Sequence, residues 1–508
     1  MDKQDHVSTS PPRHQQIGVS RPPLALEDLP TPEEAFRVRR IGFEQLIALI
    51  LGPSLIALGI SVGSGEWLIG PLNVAKFGFL GVGWVIMVSA VLQVFYNVEL
   101  ARFTMATGET PVVAFGRIPP GYFIWVPLAL LSFYIAFILG GWTVQAGASL
   151  FALFSGRPYV AQELELVRII GIALMLSIYP FVSFGRKIVR TLEWVMGIIM
   201  AFVLIGILFI TLVVVPLNYW GTALASLFIP TLPPSGSDPS LLGALAGFTA
   251  LASGLNFMFI GYYRDKGYGM GFRMGFLGSW LARRPTSVEA VGKIFPESEK
   301  NTRTWKRWFR ILVVDQWVIY FFGALIGMVV PSVLIGYLST IPGSAQPTAE
   351  NIVTYAATEL GLQYGPVVSG WMLVLGFMVL FSTQLVILEL LVRNMTDALF
   401  AYSHRFRQWV GQDTRRFYYP FMLVVILLIG IFIHLALPSD LIVVSGNMSN
   451  FAAMLFPLGL MYLNSRLPRP ARITWWSYLV LALNALFFGF FFVNFVVIQL
   501  TGAPLVRF

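Results

Sequence analysis

The sequence predicts an all-α membrane protein of eleven transmembrane helices. Three observations carry this. Of 508 residues, 56% are hydrophobic and only 12% charged, and the mean hydropathy is +0.74, more apolar surface than a soluble domain of this length can hide. Apolar runs of about 20 residues, enough to cross a bilayer as a helix, recur along the whole chain. The basic residues fall on alternate connections between those runs.

The runs place helices at 44–70, 80–101, 121–152, 166–184, 191–216, 241–263, 311–337, 367–392, 420–437, 441–463 and 474–500. With that assignment, 30 of the 34 Lys and Arg share the side of the amino-terminal tail; the exceptions are Lys76, Arg157, Arg168 and Arg507. One missed or invented helix would scramble the asymmetry, so it also tests the count. Short cytosolic loops carry the positive charge, which sets the amino terminus in the cytosol and the carboxyl terminus outside, in a plasma (inner) membrane. The net charge of +9 therefore reports orientation in a lipid bilayer, and nucleic acid is not an expected partner.

Residues 1–40 are polar and proline-rich, without the apolar core of a signal peptide, and are expected to form a disordered cytosolic tail. Residues 41–503 form the single transmembrane domain. Its largest internal loop, 264–310, contains KIFPESEKNTRTWKRWFR and reads as an amphipathic segment on anionic lipid. The chain has no cysteine, which excludes disulfides, thiol catalysis and thiolate metal sites. With no nucleotide loop and no HExxH motif it does not read as an enzyme, and no cofactor is expected.

Helices 1 and 6 would enter from opposite sides, and each is interrupted near its middle. The first contains GISVGSGEW and the sixth TALASGLNF, Thr249 to Phe257. Paired breaks in halves of opposite orientation point to a secondary transporter whose substrate sits at the membrane midplane. Backbone released from a helix cannot face lipid, so it must be buried in protein or line a watery cavity, where it can coordinate an ion. Packing kinks are the plainer alternative, because Gly and Ser also let helices approach closely. Polar clusters occur again in helix 8, Ser382 to Gln384, and in helix 10, Ser445 to Asn450. Gln93 and Asn97 in helix 2 and Gln145 in helix 3 read as interhelical hydrogen bonding.

The stretch GPSLIALGISVGSGEW followed by LIGPLNVAKFG resembles the first helix of the Nramp metal-ion transporters. Gly52-Pro53 matches the opening of the family's pattern, Trp67 its tryptophan, and Lys76-Phe77-Gly78 its AQFG-like tail, with no gap. The resemblance implies a LeuT-like fold of two inverted five-helix repeats, about 44–216 and 241–463, with helix 11 added at 474–500. It also implies a small inorganic ion as substrate. The departures concern the site. The family's DPGN becomes Gly63-Ser64-Gly65-Glu66, so its metal-binding Asp is Gly63 and its Asn is Glu66. Its Met ligand falls near Ala252 and the following His near Gly254. Helix 3 reads YIAFILGGWTVQAG, without the acids that carry protons in family members, and His6, His14, His404 and His434 all lie away from the middle of a span. Proton coupling through such a relay is not expected.

Glu66 remains as the ionisable group, and a charge near the bilayer centre costs several kcal/mol unless paired or hydrated. It is the candidate metal ligand, unless it only satisfies the helix end on which it stands. Without Cys, His or the family Met, the donors are carboxylate, carbonyl and amide oxygens, which suit a hard, partly hydrated ion such as Mg2+ or Mn2+. The candidate substrate-binding residues are Ser61, Gly63, Ser64, Gly65 and Glu66 in helix 1; Ala252, Ser253, Gly254 and Asn256 in helix 6; and Gln384, Asn447 and Asn450 in helices 8 and 10. Met258 reads as packing. A rival reading reverses the charge: Gly- and Ser-rich breaks at helix N-termini also bind anions, so bicarbonate or a small carboxylate, with sodium, is the alternative substrate. A sensor that binds without transport is a third.

Overall fold

The computed structural model describes residues 22–38, 53–63, 65–183, 188–251, 253–275, 289–411 and 413–506. Among them, nine helical runs are long and apolar enough to cross a membrane: Gly65–Thr107, Tyr122–Ser155, Ala161–Val182, Leu192–Val214, Glu299–Leu338, Pro366–Tyr402, Arg415–Phe432, Pro438–Ser465 and Trp475–Thr501. These cover nine of the expected ranges. The other two, 44–70 and 241–263, are the ones in which the sequence sets breaks. Helix 1 is described as Pro53–Ser61 (helix 1a) and a second half starting at Gly65 (helix 1b). Helix 1b runs to a turn at Gly78, where a φ of 73° and ψ of 159° redirect the chain into helix 2. Helix 6 is Pro239–Phe248 (helix 6a), capped by Asp238, then Ser253–Phe259 and Gly261–Lys266 (helix 6b).

Burial sorts the helices. The most apolar stretch of helix 8 (Pro366–Tyr402) is 78% buried, whereas that of helix 4 (Ala161–Val182) is 28% buried. Helices 4 and 5 turn Ile169, Trp194, Ile198, Ile205 and Phe209 outward, as a lipid-facing layer must. Helix 8 runs through the interior, against both halves of helix 3 and helix 1a. Helix 3 is itself divided, into Tyr122–Phe137 and Gly141–Ser155, at Gly140, whose φ of 73° turns the chain between the two halves.

Part of the tail corrects an expectation. Residues 22–38, expected from composition to be disordered, are fastened to the protein. Strand β1 (Ala25–Leu26) pairs in parallel with β2 (Lys293–Ile294), and Thr31 caps a short helix, Pro32–Phe36. The Trp308 indole N–H donates to the Pro30 carbonyl at 2.8 Å, and the Leu29 N–H to Asn301 Oδ1 at 3.2 Å. Phe36 packs on the Trp308 and Tyr268 rings. The basic segment expected on lipid therefore seats this strap: Trp305 and Trp308, on the first turns of helix 7 (Glu299–Leu338), are buried in protein. Leu24 and Leu29 of the strap are buried, and ion pairs surround it. Glu27, Asp28, Glu33 and Glu34 pair with Arg273, Lys293, Lys300 and Arg307.

Candidate functional site

Helix 1a ends at Ser61, Val62 and Gly63 turn, and the chain resumes as a wide π-helical turn, Gly65–Ile69. Glu66 stands in that turn, 1% exposed. Its Oε1 accepts from Ser61 Oγ at 3.2 Å and its Oε2 from the Gly63 N–H at 3.3 Å. The carboxylate thus reaches back and holds the backbone that its own break releases. Two hydrogen bonds leave a carboxylate with unused lone pairs, so this role does not exhaust it. The backbone of Ala250, in the other break, also faces it. At Gly65 the two interruptions touch: a Cβ there would stand 2.6 Å from the Cβ of Phe248, the last residue of helix 6a.

The helix 6 break is irregular in a specific way. Ala250 and Leu251 have φ values of 55° and 95°, the left-handed region that side-chain-bearing residues avoid at a cost on the order of 1–3 kcal/mol each. Surrounding side chains hold them there. Gln93 Nε2 donates to the Thr249 carbonyl at 2.6 Å, and the Tyr320 hydroxyl donates to the Ala250 carbonyl. Asn256 Nδ2 donates to Gln93 Oε1 at 2.5 Å, and Asn256 Oδ1 lies 3.3 Å from the Tyr320 hydroxyl. Helices 2, 6 and 7 therefore meet on the two carbonyls that the break sets free. Gln93, expected to bond between helices, makes that bond at the break itself. Tyr320 joins it there with no signal in the sequence beyond a hydroxyl in an apolar run.

Ser64 and Ala252 lie outside the described residues. Ser253 opens helix 6b, and Gly254 packs against Phe137 of helix 3. Gln384 is fully buried, and neither polar atom of its amide has a hydrogen-bond partner among the described residues. Its neighbour Ser382 donates to the Gly59 carbonyl of helix 1a at 3.2 Å. Asn447 and Asn450 use their amide N–H groups on helix 6a, donating to the Ser240 and Gly243 carbonyls at 2.8 and 2.9 Å, and their Oδ1 atoms have no partner among the described residues. Among the described residues no group of three or more His, Asp or Glu comes together as a metal site. The donor set at the breaks is one carboxylate, backbone carbonyls and neutral amides.

Two further polar clusters lie on the helix 6b side of the break. Arg393 pairs with Glu389 at 2.6 Å and with Asp265, while Arg264 pairs with Asp265 at 2.7 Å and Asp397 at 2.9 Å, all buried. Tyr262 and Tyr418 donate to Glu389, so the cluster ties helix 6b to helices 8 and 9. The other is built on Asp315 of helix 7, an acid inside the expected range 311–337 that is not among the candidates drawn from the sequence. An ionisable residue within an apolar run is the signal that marks it.

No protein-family profile matches this chain, and no curated protein sequence matches it. Solved structures do. A manganese transporter of Eremococcus coleocola, in a substituted form, shares 12% identity over 95% of this chain and 92% of its own, with a TM-score of 0.58. The same transporter in complex with an aromatic bis-isothiourea substituted compound shares 13% identity over 95% and 93%, also at 0.58. MhsT in complex with L-phenylalanine shares 15% over 87% and 98%, at 0.53. At such identities the likeness is one of fold, and it establishes the chain as an all-α membrane protein with the LeuT-like fold.

Proposed function

We propose that the chain is a secondary transporter of a small inorganic ion, and that its substrate is a hard divalent cation, Mg2+ or Mn2+, carried without a proton relay in helix 3. One observation carries this reading: two helices break halfway along, and the breaks meet at a single buried acid, Glu66. A partly hydrated divalent ion needs one carboxylate and a few neutral oxygens, which Glu66, the released carbonyls, Asn256 and Gln384 offer. That a manganese transporter has this fold supports the same class. In the cell the protein would sit in the plasma membrane with its amino terminus in the cytosol, as the basic residues imply.

A second reading has its own support. The Ser61 hydroxyl and the Gly63 N–H already hold one carboxylate, that of Glu66, so the same donors suit bicarbonate or a small carboxylate, with sodium, if that anion takes the place of Glu66. A liposome flux panel separates the two. The cation reading expects Mg2+ or Mn2+ uptake without stoichiometric internal acidification, reduced at least tenfold by Glu66→Gln. Flux untouched by that substitution removes Glu66 from the site. Sodium-dependent accumulation of radiolabelled bicarbonate selects the second reading.

A further inference from the structure

Asp315 opens a π-helical turn, Asp315–Phe321, within helix 7 and is fully buried. Such turns interrupt the regular hydrogen-bond ladder and leave a backbone carbonyl available, which is why they recur at functional sites. Here the Asp315 carbonyl faces Ser54 Oγ of helix 1a at 3.4 Å. The Tyr263 hydroxyl of helix 6b donates to Asp315 Oδ2, and Gln316 Nε2 donates to the Tyr263 oxygen at 2.6 Å and to Ser54 Oγ at 3.3 Å.

The inventory of this cluster is one-sided. Asp315 Oδ1 and Gln316 Oε1 are buried acceptors with no partner among the described residues. Asp315 forms no salt bridge among the described residues; the nearest basic group that acts on it, Lys266, is paired with Glu193 at 3.0 Å. A buried carboxyl group with an unpartnered oxygen is unfavourable in its charged form unless a cation completes it or a proton neutralises it. Every candidate donor atom is oxygen: Asp315 Oδ1 and Gln316 Oε1, which are unpartnered among the described residues, and the Ser54 hydroxyl, Tyr263 phenol and Asp315 carbonyl oxygens, each of which already accepts one hydrogen bond. Oxygen donors select hard cations, and one carboxylate balances a single charge. Ser54 lies nine residues before Gly63, about 13 Å along a helix, so this cluster is separate from the Glu66 break.

We infer that Asp315, Gln316, Ser54 and Tyr263 form a binding site for one monovalent metal cation of sodium size, seated where helices 1a, 6b and 7 converge. Because those three helices include one half of each broken helix, the ion joins the two half-helices to helix 7.

The test is saturable binding of radiolabelled sodium to the purified full-length chain, with choline as the balancing ion and no divalent metal present. Its outcome is therefore independent of which substrate the Glu66 break carries. The near-isosteric Asp315→Asn is expected to weaken sodium binding at least tenfold while the protein still elutes as a single species. Tyr263→Phe, which keeps the ring and removes the hydroxyl, is expected to weaken it severalfold, and it reads the site independently if Asp315→Asn does not fold. The inference is overturned if the wild type binds no sodium, if both variants bind as the wild type does, or if Asp315 only takes up a proton. The last would appear as a carboxyl C=O infrared band that titrates, is lost in Asp315→Asn and ignores sodium.

Discussion

At position 65 a hydrogen atom in place of a side chain lets the two broken helices touch. A Cβ there meets the Cβ of Phe248 at 2.6 Å and its carbonyl oxygen at 3.0 Å, atoms fixed to the backbone that cannot swing aside. Gly65→Ala is accordingly expected to destabilise by about 1–3 kcal/mol, seen as a lower thermal unfolding midpoint in detergent. Gly430→Ala is the control: a methyl on that glycine, inside helix 9 (Arg415–Phe432), would meet nothing within 4 Å, so alanine should be neutral or stabilise by up to about 1 kcal/mol. Residue roles were unevenly legible. Glu66 announces itself as an acid in an apolar run, but its capture by Ser61 and Gly63 depends on how the break folds back, which spacing does not reveal. Asp315 carries the same signal more faintly, because no glycine or serine marks its surroundings. Asn447 and Asn450 look like Gln384 in sequence; only packing separates amides that stitch helix 10 to helix 6a from one left without a partner.

The elements follow the same division between local and distant causes. The two breaks were legible because Gly and Ser inside long apolar runs are local facts. The strap was not, because its polar, proline-rich composition reads as disorder and its partners lie far along the chain, at Lys293–Trp308. Ion pairs contribute to its attachment. Hydrogen bonds from Lys300, then Asn301, hold the Asp28 carboxyl below its ordinary value, and a hydrogen bond from Arg307 does the same for Glu33. Groups depressed in the docked state contribute attachment that is complete above their unfolded values near pH 4 and is lost as pH falls through the docked values. Amide exchange of residues 22–38, corrected for intrinsic rate, should therefore be protected near neutrality and accelerate below about pH 4. Equal protection at both would mean that Trp308, Phe36 and the β1–β2 pairing hold the strap unaided.

For the molecule as a whole, hydropathy made the class and the span ranges readable, since length and apolarity are what a bilayer demands. The order of the helices from lipid to interior was not readable, because helix 4 and helix 8 are similarly apolar and differ only in what surrounds them. Orientation rests on charge asymmetry and is open to a direct check, since the chain has no native cysteine. Arg157→Cys, in an exposed turn between helices 3 and 4, should react with a membrane-impermeant maleimide in intact cells. Lys306→Cys, exposed at the start of helix 7, should react only after permeabilisation. The opposite pattern would invert the topology.

The β1–β2 seam has a mechanical corollary. It fastens the chain upstream of helix 1a to the stretch that feeds helix 7, while Glu66 clasps the far end of the same half-helix. Residues 22–38 and the foot of helix 7 are thus coupled like a hasp and its staple: a stroke of helix 7 either carries the ribbon along or has to unzip the seam and draw Trp308 off Pro30.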